Sequence, residues 1–170
     1  MVIPEKIQQI LNGNERPKDF LELEKELDIA RAKGYTVVDI SYEDGIYIRE
    51  QAKQAIKKMG IDSESIFAYI MTEYRNLPLG RGEELYSLDQ IIDEKESQFH
   101  EDEYPGIYDR FLQLSSIEGE GSYFYEIATD IVYDTNWGDE ECMMNGKLEK
   151  KWFSFLNFIE WYYSIGDKDA

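Results

Sequence analysis

The chain has 170 residues, 42% of them hydrophobic and 14% aromatic, and its 36 acidic and 18 basic side chains give a formal net charge of −18. This length suits one domain with one sizeable core, and the aromatic content argues against an intrinsically disordered chain. The acidic excess excludes nucleic acid and anionic membranes as expected partners, because phosphate and anionic lipids attract lysine and arginine.

Cysteine usage and the first residues of the chain bear on the compartment. Cys142 is the only cysteine, which excludes an intramolecular disulfide and agrees with a reducing environment. Residues 1–20 contain no basic start followed by an apolar run, and no stretch of the chain reaches membrane-spanning length. We therefore expect no signal peptide, no membrane span and a cytoplasmic location.

Three helices are predicted in the first half of the chain. The first begins at Pro17 and ends at Gly34, because proline suits a first helical turn and glycine a helix end. The second runs from about Glu43 to Gly60, and the third begins with Asp62 as its cap and closes before the next proline. The inward face predicted for the first helix consists of Phe20, Leu23, Leu27 and Ala30.

The second half of the chain changes to a two-residue period, which predicts strands. Residues 84–92 are a candidate first strand, and residues 121–128 and 130–134 alternate in the manner of an antiparallel hairpin. Residues 35–41 are ambiguous between a short strand and a linker, and the acidic residues 93–103 are expected to form a solvated loop or a short exposed helix.

A last helix is predicted after the hairpin, with Ser154 as its N-terminal cap. Its inward residues are expected to be Phe155, Phe158, Ile159 and Tyr162. The aromatic residues expected to be largely buried in the whole domain are Tyr125, Tyr133, Trp152, Phe155 and Phe158.

Negative charge is concentrated in the middle of the chain, where residues 93–146 carry a net charge of −13. Between Arg110 and Lys147 there are eight acidic residues and no lysine or arginine. Turn residues at Asn136 and Gly138 would bring several of these acids to one end of the sheet, where loops commonly carry function. The residues predicted to bind a basic partner are Glu118, Glu120, Asp134, Trp137, Asp139, Glu140 and Glu141.

Trp137 has two possible roles at this point, because a tryptophan in such a domain is as often a core residue as an interface anchor.

Catalytic and metal-binding patterns are weak in this sequence. The only histidine, His100, lies among acids and is expected to be a solvated loop residue, and Cys142 follows three acids that disfavour its thiolate. One histidine and one cysteine do not make a zinc site, and the calcium-loop spacing from Asp134 fails because Gly138 falls at the fifth position. Paired carboxylates for glycoside hydrolysis stay open, since 36 acids supply suitable pairs in any fold.

Three segments together resemble the SUKH superfamily, which contains bacterial immunity proteins and the Smi/Knr-type cell-wall regulators of yeast. Residues 84–91 are similar to its "ElyslaeI" segment, residues 121–133 to its glycine-marked hairpin ending in "Vy", and residues 154–163 to its final Ser-Phe helix. The resemblance covers roughly residues 62–164, and residues 1–60 have no counterpart in it.

The resemblance implies a single α+β domain over residues 1–170, in which a twisted antiparallel sheet is flanked by N-terminal helices and a C-terminal helix. Residues 1–78 would be mostly helical, and residues 79–165 would form the sheet and the last helix. It also implies a monomeric protein without catalytic residues, cofactor or metal.

The function that the resemblance implies is that of an immunity protein. Such a protein binds and neutralises a cognate toxin, often the nuclease domain of a polymorphic or contact-dependent toxin system. The acidic composition favours the same partner, since a nuclease carries a basic cleft for its phosphate substrate. The alternatives are a regulatory or scaffold module of the Smi/Knr type and, as a third class, an enzyme.

Overall fold

The computed structural model describes residues 3–37, 45–116 and 121–163. In this part of the chain, three antiparallel strands form one sheet in the order β1 (Phe111–Gln113), β2 (Gly121–Glu126) and β3 (Val132–Asn136). The helices are α1 (Glu5–Leu11), α2 (Phe20–Ala32), α3 (Arg49–Lys58), α4 (Ile66–Glu73), α5 (Leu88–Ser97), α6 (Ile107–Arg110), α7 (Glu140–Met144) and α8 (Phe155–Tyr162). The predicted single-domain α+β fold is confirmed.

The sheet is buried on both faces, because helices pack against each of them. Along β2, Tyr123 and Tyr125 join the larger hydrophobic cluster, while Phe124 between them joins a smaller cluster on the opposite face. The larger cluster also contains residues of α1, α3, α4, α5 and α8. The smaller one consists of Ile107, Tyr108, Phe111, Phe124, Ile131, Tyr133 and Met143. All five aromatic residues predicted to be buried are buried.

The predicted hairpin is formed by β2 and β3, with Phe124 opposite Tyr133 and Tyr125 opposite Val132. Asp130 closes the turn in a left-handed conformation, with φ of 65°. Its carboxylate accepts a hydrogen bond from the Tyr125 hydroxyl at 2.8 Å and another from the Phe155 amide at 3.3 Å. One side chain therefore joins the hairpin to the first residue of the last helix.

The last helix confirms the sequence prediction in its cap and in its buried face. The Ser154 hydroxyl accepts a hydrogen bond from the Asn157 amide at 3.0 Å, which satisfies one of the amides left unpaired at a helix start. The four residues predicted to face inward are all buried.

Residues 84–92 were predicted to be a strand, and this prediction is wrong. Ser87 and Gln90 form a capping box: the Ser87 hydroxyl accepts from the Gln90 amide at 3.4 Å, and the Gln90 side chain accepts from the Ser87 amide at 2.8 Å. The helix α5 therefore starts inside the apolar run. Only Leu85 keeps a strand-like contact, an isolated bridge to Ser115.

The helices of the first half differ from prediction mainly at their starts. As predicted, α2 ends just before Gly34, whose φ is 87°. However, α3 begins at Arg49 instead of near Glu43. The cap of α4 is Ser65, while the Asp62 carboxylate accepts from a neighbouring amide in the preceding turn.

The remaining differences from prediction concern residues 35–41, the helix α2 and four further elements. Of the ambiguous segment 35–41, residues 38–41 lie outside the described part of the chain. Of the predicted inward face of α2, only Leu23 is fully buried, so this helix lies on the surface of the domain. Four elements were not predicted from the sequence: α1, β1, α6 and α7.

Arg16 connects the chain after α1 to the end of α4. Its side chain is buried, and the guanidinium donates hydrogen bonds to the carbonyls of Ile46, Met71, Thr72 and Tyr74 at 3.0 to 3.3 Å. Three of these carbonyls lie in or just after the last turn of α4, where a helix leaves acceptors unpaired and its dipole favours a cation. Burial lowers the pKa of Arg16 from its ordinary value, and the nearby Asp89 carboxylate opposes this shift.

Two more arginines strengthen the same junction. Arg49 donates to the Arg16 carbonyl at 3.1 Å and pairs with Glu73 at 3.2 Å. Arg75 donates to the Glu15 carbonyl at 3.0 Å and pairs with Glu26 of α2 at 3.0 Å. The N-terminal helices are thus attached to α4 by hydrogen bonds as well as by apolar packing.

Arg16→Met should lower the free energy of unfolding by about 3 kcal/mol or more, because it leaves buried carbonyls without donors. The matched control is Arg31→Met, which removes an arginine of an exposed ion pair with Asp28 and should change stability by less than about 1 kcal/mol. Urea unfolding of both variants measures the difference. Equal stabilities for the two variants would contradict the role assigned to Arg16.

Candidate protein-binding site

Trp137 lies in the turn between β3 and α7, and 57% of its surface is exposed. The Asp139 amide donates to the Asn136 carbonyl at 3.0 Å, and Gly138 adopts a φ of 94°, so the predicted turn residues do form this turn. In the structure Trp137 is therefore a surface residue and not a core residue.

Two of the predicted acids hold this turn in place. The Asp139 carboxylate accepts from the Asn136 amide at 3.1 Å, and the Glu140 carboxylate accepts from the Gly138 amide at 3.0 Å. The Glu140 side chain is only 5% exposed. Glu141, next along α7, is exposed. Of these three carboxylates, that of Glu141 is the one the structure leaves most accessible to a partner.

The remaining predicted acids lie elsewhere. Glu118 and Glu120 are outside the described residues. Asp134 is exposed and pairs with Lys151 at 3.4 Å, and it stands opposite Tyr123 in the hairpin, on the face of the sheet that carries the larger cluster. Since α7 packs beside the other face through Met143, the structure does not bring Asp134 and the α7 acids to one surface.

Residues 101–103 were expected to be solvated and were not assigned to the site, but the structure places them beside α7. The connection is Tyr104, because the carboxylates of Glu103 and Glu140 both lie close enough to its hydroxyl to affect its pKa. Burial, together with these two carboxylates, raises the pKa of Tyr104 to about 12. Asp102 and Glu103 are exposed. No spacing rule could have revealed this contact, because its partners are far apart in the sequence.

We call four exposed residues of these two segments the Trp137 surface: Asp102, Glu103, Trp137 and Glu141. The half-buried Tyr104 and the buried Glu140 connect the two segments. Of the two bases that bound the acidic window of the sequence, Arg110 lies at the opposite end of α7, where it donates to the Met144 carbonyl at 2.9 Å, and Lys147 follows that same end. The surface is therefore acidic and carries one exposed indole, with Glu141 on α7 and the other three residues in turns.

The other acids of the base-free window serve the fold. Glu126 accepts from the Thr129 hydroxyl at 2.7 Å and from the Tyr133 hydroxyl at 3.3 Å, and Asp130 joins the hairpin to α8. Acid content alone therefore overstates the charge that the window offers to a partner.

His100 was predicted to be a solvated loop residue, and this prediction is wrong. Its side chain is 4% exposed and lies among the rings of Phe99, Tyr104, Tyr108 and Phe124, at centroid distances of 4.9 to 6.4 Å. Its Nε2 has no hydrogen-bond partner among the described residues. The aromatic cluster on the smaller face of the sheet accounts for this burial, and the acidic neighbours in the sequence gave no sign of it.

The described residues 3–37, 45–116 and 121–163 offer no metal site and no membrane-spanning helix. They contain no group of three or more histidine, cysteine, aspartate or glutamate side chains arranged to hold a metal ion. None of the helices found there is long and apolar enough to cross a membrane. Cys142 is an exposed free thiol.

Comparisons with protein-family models, with curated proteins and with solved structures found no match for this chain. Relationship to the SUKH superfamily therefore stays a prediction from the sequence.

His100→Ala should lower the free energy of unfolding by about 1 to 3 kcal/mol, because it leaves a cavity among four rings. His100→Phe is the matched control: it keeps an aromatic ring and removes the unpaired nitrogen, so stability should be equal to or above that of the parent protein. Thermal unfolding of the three proteins tests this. An alanine variant as stable as the parent would show that His100 does not support the cluster.

Proposed function

We propose that this protein is a SUKH-like immunity protein that binds and neutralises a basic protein toxin through the Trp137 surface. The observation that supports this most directly is an exposed indole, 57% accessible, in the turn before α7, where Glu141 is exposed and Glu140 lies near Tyr104 in the segment that carries the exposed Asp102 and Glu103. Apolar anchors surrounded by charge are typical of protein interfaces, where tryptophan is enriched among the residues that contribute most to affinity.

A nuclease toxin is the partner that best matches this surface. Nucleases need basic clefts to bind phosphate, and an acidic protein is attracted to such a cleft over several ångströms. Complementary charges can raise the association rate constant from about 10⁵–10⁶ to 10⁸–10⁹ M⁻¹s⁻¹ at low salt. Rapid capture suits a protein that must act before a toxin reaches cytoplasmic nucleic acid.

The placement of the two residues best able to act as base or nucleophile supports binding in preference to catalysis. His100 is enclosed by aromatic rings, and Cys142 is an exposed thiol that directly follows three acids. Neither is arranged for acid–base or nucleophilic work. On this proposal, neutralisation occurs by occupying the cleft of the toxin.

Neutralising the exposed acids should slow association with the toxin. We expect Asp102→Asn/Glu103→Gln/Glu141→Gln to lower the association rate constant several-fold at low salt and to flatten its salt dependence, because exposed charges are screened beyond about 8–10 Å at ordinary ionic strength. The measurement is surface plasmon resonance at two salt concentrations, with the catalytically inactive product of the neighbouring toxin gene as ligand.

The control for this variant is Glu50→Gln/Glu84→Gln/Glu149→Gln, which removes the same charge from three other exposed positions. If both triple variants slow association equally, only net charge matters, and the Trp137 surface is not the interface. Absence of binding by the parent protein would instead favour the regulatory or scaffold alternative.

Trp137→Ala should act on dissociation. Loss of a buried interface anchor costs about 2 kcal/mol or more, which corresponds to a dissociation rate constant roughly thirtyfold higher. Phe153→Ala is the matched control, since Phe153 is also a large exposed aromatic residue, at 66%, and lies outside the surface. Both variants should keep the stability of the parent protein. Equal dissociation rates for the two variants would remove Trp137 from the interface.

A further inference from the structure

A groove of about 610 Å³ lies between α3 and α4. None of the residues that line it belongs to the Trp137 surface. Its floor is mostly apolar and consists of the buried residues Ile56, Ile61, Ala68 and Thr72, of which only Thr72 is polar. Its volume falls within the range of about 300–1,000 Å³ that is usual for binding sites. The groove is half open, so a bound segment would keep one side in contact with water.

The α3 wall of this groove is basic, although the protein as a whole is strongly acidic. Lys53 and Lys57 line it, and both side chains are exposed. Neither forms an ion pair with another residue in the described part of the chain. Two exposed lysines beside an apolar floor thus have their charge available to a ligand.

The spacing of the two lysines indicates the shape of that ligand. Residues four apart lie one above the other on a helix, with about 6 Å of rise between them. Carboxylates at the same spacing on a second helix would face both lysines. The backbone of α3 and α4 is already hydrogen bonded within the helices, so recognition must use side chains, as when an amphipathic helix lies in a groove.

The opposite wall has a different charge. It contains Glu64, which is exposed, and Glu73, whose carboxylate is bound by Arg49 at 3.2 Å. Tyr69 lies between them on α4. A ligand with acids along both flanks would therefore meet a carboxylate on one side. This asymmetry favours a helix with acids on one flank only and fixes its orientation in the groove.

We propose that the α3–α4 groove binds an acidic amphipathic helix of a partner protein. The apolar stripe of that helix packs on Ile56, Ile61 and Ala68, and its carboxylates pair with Lys53 and Lys57. The site is separate from the Trp137 surface, so the protein can hold a second partner while a toxin is bound. Its occupant has the opposite charge to the partner of the Trp137 surface.

The proposal can be tested with a fluorescent amphipathic peptide of about four helical turns that has a leucine stripe and glutamates on one flank. A second peptide carries lysine in place of each glutamate. Fluorescence anisotropy with the full-length protein at about 0.15 M salt should show saturable binding of the acidic peptide and at least about tenfold weaker binding of the basic one. A preference for the acidic peptide is a strict criterion, because the negative net charge of the protein repels that peptide.

Lys53→Glu/Lys57→Glu should weaken binding of the acidic peptide by about tenfold or more. The control Lys25→Glu/Lys58→Glu makes the same change in net charge at two exposed lysines outside the groove and should have less than about a threefold effect. Trp137→Ala should leave peptide binding unchanged.

Three results would overturn the proposal. They are no saturable binding of the acidic peptide at about 1 mM, equal losses for the two lysine pairs, or loss of peptide binding in Trp137→Ala. A concentration of 1 mM corresponds to about −4 kcal/mol, below which a specific docking site is not supported. None of these results bears on toxin binding, so the groove and the Trp137 surface stand or fall separately.

Discussion

The buried guanidinium of Arg16 is the interaction on which the arrangement of the first half of the chain depends. Four backbone carbonyls from two distant segments converge on it, and a buried cation is tolerated only where such acceptors surround it. Because α4 also packs on the sheet and on α8 through the larger cluster, the position of α4 determines where α1, α2 and α3 can lie. Arg49 and Glu73 also join α3 and α4, the two helices that flank the groove, at one end.

The acidic middle of the chain divides into acids that build the fold and acids that face water. Glu126, Asp130, Asp139 and Glu140 accept hydrogen bonds from amides or hydroxyls of the hairpin and its turns. A carboxylate suits such positions because it accepts several bonds at once without adding apolar bulk. The exposed acids then lie where these turns place them. The structural carboxylates thus determine where the surface carboxylates lie. The turn that exposes Trp137, for example, is held by its acidic neighbours.

Features that depend on neighbouring residues were predictable from the sequence, and features that depend on distant residues were not. The Ser154 cap, the alternation of the hairpin and the turn at Gly138 each involve a few adjacent positions, so composition and spacing reveal them. The strand prediction for residues 84–92 was wrong because an apolar run fits either a strand or a helix, and the capping box at Ser87 favours the helix. The burial of His100 and the contact of Tyr104 with Glu140 are tertiary, since both arise only when residues 99–110 pack against the sheet beside α7. For the same reason the base-free window predicted an acidic surface but not which acids form it.

The three tryptophans stand in very different surroundings, and this makes the protein a source of two separate optical signals. Trp152 is buried, and its ring lies 4.6 Å from that of Trp161, with the Lys151 ammonium near both rings. Trp137 alone of the three is more than half exposed. Emission from Trp152 and Trp161 reports the packing of α8, whereas emission from Trp137 reports the polarity at the turn between β3 and α7. A partner that covers that turn would shift one component and leave the other in place, so docking and unfolding can be distinguished in a single spectrum without any label.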